Sequence, residues 1–156
     1  MPKTKFLPSK YHTLDDKEFT AMLEPYPGTQ VIYEHFGDCP TLPETWVNKV
    51  YPPNTTLIVN NPCWNLNINV FGEITKLVVE RNYGGLYLGS QETDGVYTKE
   101  VVIKSNDNWL RLNNNMDRVE IQENTSEIGV FGRVAEQVDV KKTSGILWFM
   151  YENFAA

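Results

Sequence analysis

The chain has 156 residues, 41% hydrophobic and 22% charged, enough for one domain with a real core and typical of a globular protein. Its net charge of −6 argues against duplex DNA or an anionic membrane surface as the main partner, since both reward clustered Lys and Arg. No apolar run approaches the roughly 18 residues of a membrane helix, and two cysteines with two histidines, His12 and His35, suit neither a zinc site nor a cofactor cage.

From the N-terminus, Met1 to Lys5 is not followed by a signal-type apolar stretch, so the expectation is a product that is cytoplasmic when synthesised. Residues 1–30 read as a cap. Thr13 with Asp16 three residues on suggests a capped helix from Thr13 to Glu24, with Phe19, Met22 and Leu23 on one face. Pro25, Pro27 and Gly28 end it. Such a helix would shield the open edge of whatever follows. Val31 to Tyr51 reads as an irregular first unit broken by Pro40 and Pro43.

From Leu57 onward a unit repeats. Short β-prone strands begin at Leu57, Leu77, Val101, Val119 and Val138, spaced 20, 24, 18 and 19 residues apart. Asn82, Asn106 and Asn124 fall at the sixth position of three of them, with Pro62 and Thr143 in the other two. Asparagine tolerates the left-handed corner of a tight coil. A second alternating strand follows each first one: Leu66–Val70, Leu86–Leu88, Leu110–Leu112, Ile128–Val130 and Ile146–Met150. Strand, corner, strand and return make one coil, which buries its inward residues only against its neighbours. An ordinary antiparallel sandwich is the competing arrangement, as its strands also recur at short intervals.

These residues resemble parallel β-helices, in which corner asparagines stack as a ladder. The run from Pro52 to Asn61 also looks like a bacterial leucine-rich repeat. The resemblance spans roughly 100 residues and implies an all-β, single-domain β-solenoid of about five coils over residues 31–156, behind a short N-terminal helix.

Taking Leu77, Val101, Val119 and Val138 as inward makes Ile58, Val78, Val102, Glu120 and Asp139 one outward column. Its apolar half reads as a contact surface, unless the N-terminal segment covers it. The final coil adds Trp148, Phe149, Tyr151 and Phe154, which need cover from the same chain or another. Trp64, Tyr83, Tyr87 and Trp109 gather past the corners and suggest a platform for sugar rings, against a background expectation of ordinary packing. Glu80, Asp107 and Glu120 would serve hydrolysis only if paired at about 5–10 Å.

Cys39 and Cys63 lie 24 residues apart, near one coil length, which suits stacked thiols or, in an exported protein, a disulfide. Gly37-Asp38-Cys39 is similar to the Gly-Asp-Ser of self-cleaving repressor peptidases, which would make Cys39 a nucleophile with His35 or Lys99 as base. No motif reaches a catalytic, cofactor or metal signature. The expectation is a non-enzymatic structural or interaction protein, such as a decoration, cement or fibre component of a viral particle, with a protein partner or a homo-oligomer. Alternatives are a carbohydrate-binding or carbohydrate-active β-helix and a regulatory module resembling leucine-rich repeats.

Overall fold

The computed structural model describes residues 23–89 and 97–150. Their twelve strands are β1 (Gln30–His35), β2 (Thr45–Val50), β3 (Thr55–Asn61), β4 (Leu66–Phe71), β5 (Lys76–Asn82), β6 (Gly85–Gly89), β7 (Tyr97–Ile103), β8 (Trp109–Leu112), β9 (Asn115–Asn124), β10 (Glu127–Val130), β11 (Val134–Thr143) and β12 (Ile146–Phe149). They sort by parity. Sheet I runs β1-β3-β5-β7-β9-β11 and sheet II runs β2-β4-β6-β8-β10-β12, with every pairing parallel. Each coil gives one strand to each sheet, so the chain winds as a β-solenoid: β1 and β2 form the irregular first coil, and five regular coils follow. Because the second side of each coil is also a strand, the architecture is a β-helix and not a leucine-rich-repeat horseshoe.

The parallel register carries the expected inward column: Leu57, Leu77, Val101, Val119 and Val138 lie side by side in sheet I. Facing them from sheet II is Ile68, Leu86, Leu110, Ile128 and Leu147. All are buried, and branched aliphatic side chains suit a pleated surface covered on one face.

The corner asparagines stack. Asn82 Nδ2 donates to Asn106 Oδ1 (2.8 Å), Asn106 Nδ2 to Asn124 Oδ1 (2.9 Å) and Asn124 Nδ2 to Thr143 Oγ1 (3.2 Å). The ladder's three asparagines are buried and Thr143 is half-buried, so the links satisfy amides that would otherwise lack a partner. Asn61 pairs in register with Asn82 across a β-bulge, although it stands one position short of the sequence repeat. Its amide instead braces its own corner, donating to Leu66 O (2.9 Å) and accepting from Cys63 N (3.1 Å).

The described residues contain no helix, and most of the helix expected over Thr13–Glu24 lies outside them, as do Ser90–Gly95, Tyr151 and Phe154. The first coil is finished by charge. Glu34 and Lys49 occupy inward positions, in register with Val59 and Val70, and Tyr51 Oη donates to Glu34 Oε1 (3.2 Å). Inward charge on a terminal strand opposes continuation of the stack. At the other end Val138, Val140, Leu147 and Phe149 are buried within the single chain. Of the two covers expected for the final coil, Phe149 has the one supplied by its own chain.

Cys39 and Cys63 form a disulfide with a Cα–Cα distance of 5.3 Å, joining the β1–β2 connection to the β3–β4 corner. Closing that loop restricts the unfolded chain by about 3 kcal/mol. Asn65 Nδ2 reinforces the tie, donating to the carbonyls of Pro40 and Leu42 (2.7 Å each).

Candidate functional site

Alternation along sheet II sends every second residue outward. Each coil thereby presents one aromatic ring on the outer face: Trp46 from β2, Phe71 from β4, Tyr87 from β6, Trp109 from β8, Phe131 just past β10 and Trp148 from β12. Trp46 is 53% exposed, and the other five are half-buried. The rings fall in three neighbouring outward columns, Trp46 and Trp109 in the first, Tyr87 and Trp148 in the second, Phe71 and Phe131 in the third. They form a band whose five ladder steps at about 4.8 Å span roughly 24 Å along the solenoid axis.

Glycines seat three of the rings. A Cβ on Gly85 would lie 2.1 Å from the Trp109 ring, one on Gly89 2.3 Å from the Tyr87 ring, and one on Gly129 2.6 Å from the Trp148 ring. Only a residue without a side chain lets a ring lie that close to the sheet.

Trp46 and Trp109 belong to one outward column, separated by Asn67 and Gly85. Their backbones are three strands apart, about 14 Å, yet the ring centroids are only 5.7 Å apart with 34° between the planes. Both indoles therefore lean along the axis toward each other. Phe71 meets Tyr87 edge-on at 6.3 Å, and Phe131 meets Trp148 edge-on at 4.5 Å, both favourable aromatic geometries.

Polar groups border the indoles. The Arg111 guanidinium lies 5.7 Å from the Trp109 centroid and 3.9 Å from Glu127 Oε1. In the neighbouring column, which holds Arg111, Asn69 Nδ2 donates to Asn48 Oδ1 (2.8 Å); Trp46 Nε1 donates to Glu44 Oε1 (2.8 Å). Trp46, Trp109 and Arg111 line a shallow depression of about 300 Å³. An amide offers two donors and two acceptor lone pairs, so the Asn48–Asn69 bond leaves both side chains with capacity for a ligand.

The expected sugar platform is thus divided. Tyr87 and Trp109 stand on the outer face of sheet II. Trp64 and Tyr83 sit at the asparagine corner, where Tyr83 stacks on Arg81 at 5.0 Å. Trp46 shares the column of Trp109 but lies in the irregular first coil, outside the repeat; a Trp at an outward position of an alternating strand was the available signal.

The outward column of sheet I is in register as expected, Ile58, Val78, Val102, Glu120 and Asp139, but it is not free surface. Val78 is 2% exposed and Val102 0%, with Leu23 and Ile58 packed against them. Lys76 donates to Glu24 O (2.7 Å) and pairs with Glu100 (3.3 Å). Glu120 is 0% exposed and Asp139 1%; they share one cation, Arg118, at 3.3 and 3.6 Å. Among the described residues neither Glu120 oxygen has a hydrogen-bond partner. Burial pushes the Glu120 carboxyl up to about 8, with Glu100 and Asp139 adding to the rise and Arg118 and Lys76 opposing it.

On sheet II Phe149 points inward and is 1% exposed, so of the two described C-terminal interface residues only Trp148 reaches the outer face. The disulfide removes Cys39 as a thiolate nucleophile, and Lys99 lies over the Tyr26 ring at 5.3 Å. The three acids do not converge: Glu80 accepts from Tyr33 Oη, Asp107 from Thr125 Oγ1 (2.8 Å) at the corner, and Glu120 is buried on sheet I. Among the described residues no helix is long and apolar enough to cross a membrane. No protein family matches the chain, and neither a curated protein nor a solved structure does.

Proposed function

We propose that the protein is a non-catalytic recognition module that binds carbohydrate on the outer face of sheet II. What carries the reading is the paired indoles of Trp46 and Trp109, open beside Arg111 and the Asn48–Asn69 amides. A sugar ring has apolar C–H faces that stack on an indole and hydroxyls at its rim that bond amides and guanidinium. A face that combines exposed aromatic area with a few placed polar groups matches both halves of that chemistry.

Titration calorimetry against a panel of soluble glycans tests the reading. At least one glycan should bind, and Trp46→Ala should weaken it tenfold or more while far-UV circular dichroism stays unchanged. Absence of binding across the panel, or binding indifferent to both Trp46→Ala and Trp109→Ala, would sink it.

Assembly as a structural component is the second reading, and a separate observation favours it. On the first coil Val31 and Tyr33 on the outer face of sheet I, and Trp46 and Val50 on that of sheet II, are all at least half exposed, two exposed apolar pairs of the kind that protein contacts use. Inward Glu34 and Lys49 direct such a contact to the flanks of the first coil and away from end-on stacking. A strict monomer by light scattering at high concentration would remove the homo-oligomeric form of this reading.

A further inference from the structure

The geometry points to an extended, neutral, linear glycan with equatorial linkages, lying along the solenoid axis across successive coils. This inference rests on carbohydrate recognition by the outer face of sheet II and specifies the ligand class that such a face would select.

A site for a single sugar needs one or two rings facing one pocket. Here the rings recur once per strand in a band three columns wide. Within it Trp46 and Trp109 share one column and lean along the axis toward each other, and Trp148, one column over, lies on Gly129 of the preceding strand, so the three indoles follow one near-axial line. The repeat of the protein, about 4.8 Å per coil, is close to the rise of one sugar unit in an extended chain. The aromatic row therefore spans roughly five units.

Shape selects the linkage. Glycine seats hold Tyr87, Trp109 and Trp148 down on the sheet, so the line through the indoles is low in relief, with Phe71 and Phe131 meeting Tyr87 and Trp148 edge-on along one side. A chain of equatorially linked pyranoses is a straight ribbon that presents C–H faces repeatedly to one side. A chain with axial linkages coils and leaves a flat row after one or two contacts.

Charge selects neutrality. The cation of this face, Arg111, is matched by Glu127 at 3.9 Å, and the remaining rim groups named above are the Asn48 and Asn69 amides and the Glu44 carboxylate, which already accepts from Trp46. An anionic polymer would meet Glu44 and Glu127 with one Arg to offset both, whereas hydroxyls are served by all of these groups.

The test is a length series. Oligosaccharides of a β-1,4-linked glucan or mannan, from one to eight units, are titrated into the intact disulfide-bonded protein beside an α-1,4-linked glucan series and an oligogalacturonate series. Affinity for the β-linked series should rise at least tenfold between two and five units and then level off. Trp148→Ala should abolish the gain from the longest members without affecting the shortest. Equal affinity for a disaccharide and a hexasaccharide, or preference for the α-linked or acidic series, would overturn the axial, neutral assignment while leaving carbohydrate recognition standing. No binding in any series would overturn both.

Discussion

The two outer faces of the solenoid are built from the same alternation, and they end in opposite environments. Sheet II displays rings and amides to solvent, with Trp46 more than half exposed. Sheet I has its outward column under cover, with Glu120 and Val102 both at 0% exposure. A strand pattern fixes which residues point away from the core; it does not fix whether outward means wet. On sheet I the cover begins where Leu23 packs on the valines and Glu24 O receives Lys76 Nζ. Charge buried there must be paired, and two carboxylates meet one guanidinium. On sheet II charge stays in water, where an ion pair at 3.9 Å contributes little. The same kind of contact is therefore structurally decisive on one face and close to neutral on the other.

Breaking the ion cluster should give the largest effect. At neutral pH Glu120, with its carboxyl at about 8, holds its proton, so Arg118→Met leaves Asp139 as a buried charge without its cation and should cost about 3–5 kcal/mol in urea unfolding. Arg111→Met on the opposite face removes a comparable partner from Glu127 and should cost under about 1 kcal/mol. If the two substitutions proved equally mild, sheet I's outer face would be solvated and the contrast would fail. Replacing Arg118, Glu120 and Asp139 together by apolar residues of similar size should recover most of the loss.

An effect smaller per pH unit, but spread over several, follows from the same cluster. The carboxyl of Glu120 rises from 4.5 to about 8 in the folded protein. Between those values the native state holds a proton that the unfolded chain has released, so this group's stabilisation is complete below about 4.5 and is lost as pH rises toward 8. The slope should reach about 1.4 kcal/mol per pH unit inside that window. Glu120→Gln should flatten it, measured as urea midpoints at a series of pH values. An unchanged slope in the variant would mean that another group titrates there.

How much of this was legible in the sequence differs between the faces for a physical reason. The inward columns, the asparagine corners and the ladder from Asn82 to Thr143 could be read because every regular coil repeats them under one constraint, stacking on its neighbours. Asn61 escaped because a single bulge shifted it by one position. Ile58, Val78 and Val102 were correctly placed as outward, but their burial depends on chain from elsewhere, which no local pattern reports. Trp46 was missed since the first coil departs from the repeat, and the charged finish at Glu34 and Lys49 was hidden for the same reason. The Cys39–Cys63 disulfide was one of two alternatives that their spacing allowed.

The smallest expected effect separates ring seating from core packing, and two adjacent glycines do it. A Cβ on Gly84 would lie 1.9 Å from Leu66 O, a backbone atom fixed at the corner. Gly84→Ala should therefore force the coil apart and cost about 1–3 kcal/mol. On Gly85 the nearest obstacle is the Trp109 indole at 2.1 Å, a side chain on a face open to water. Gly85→Ala can lift that ring off the sheet, and alanine recovers some of the backbone entropy that glycine loses in a strand. The net change in stability should stay within about 1 kcal/mol. Tryptophan emission should shift to the red as the indole is hydrated, and affinity for any glycan bound across Trp46 and Trp109 should fall. A Gly85→Ala protein as destabilised as Gly84→Ala, with unshifted emission, would place Trp109 in the packing of the fold and leave Trp46 as the lone open indole of that pair.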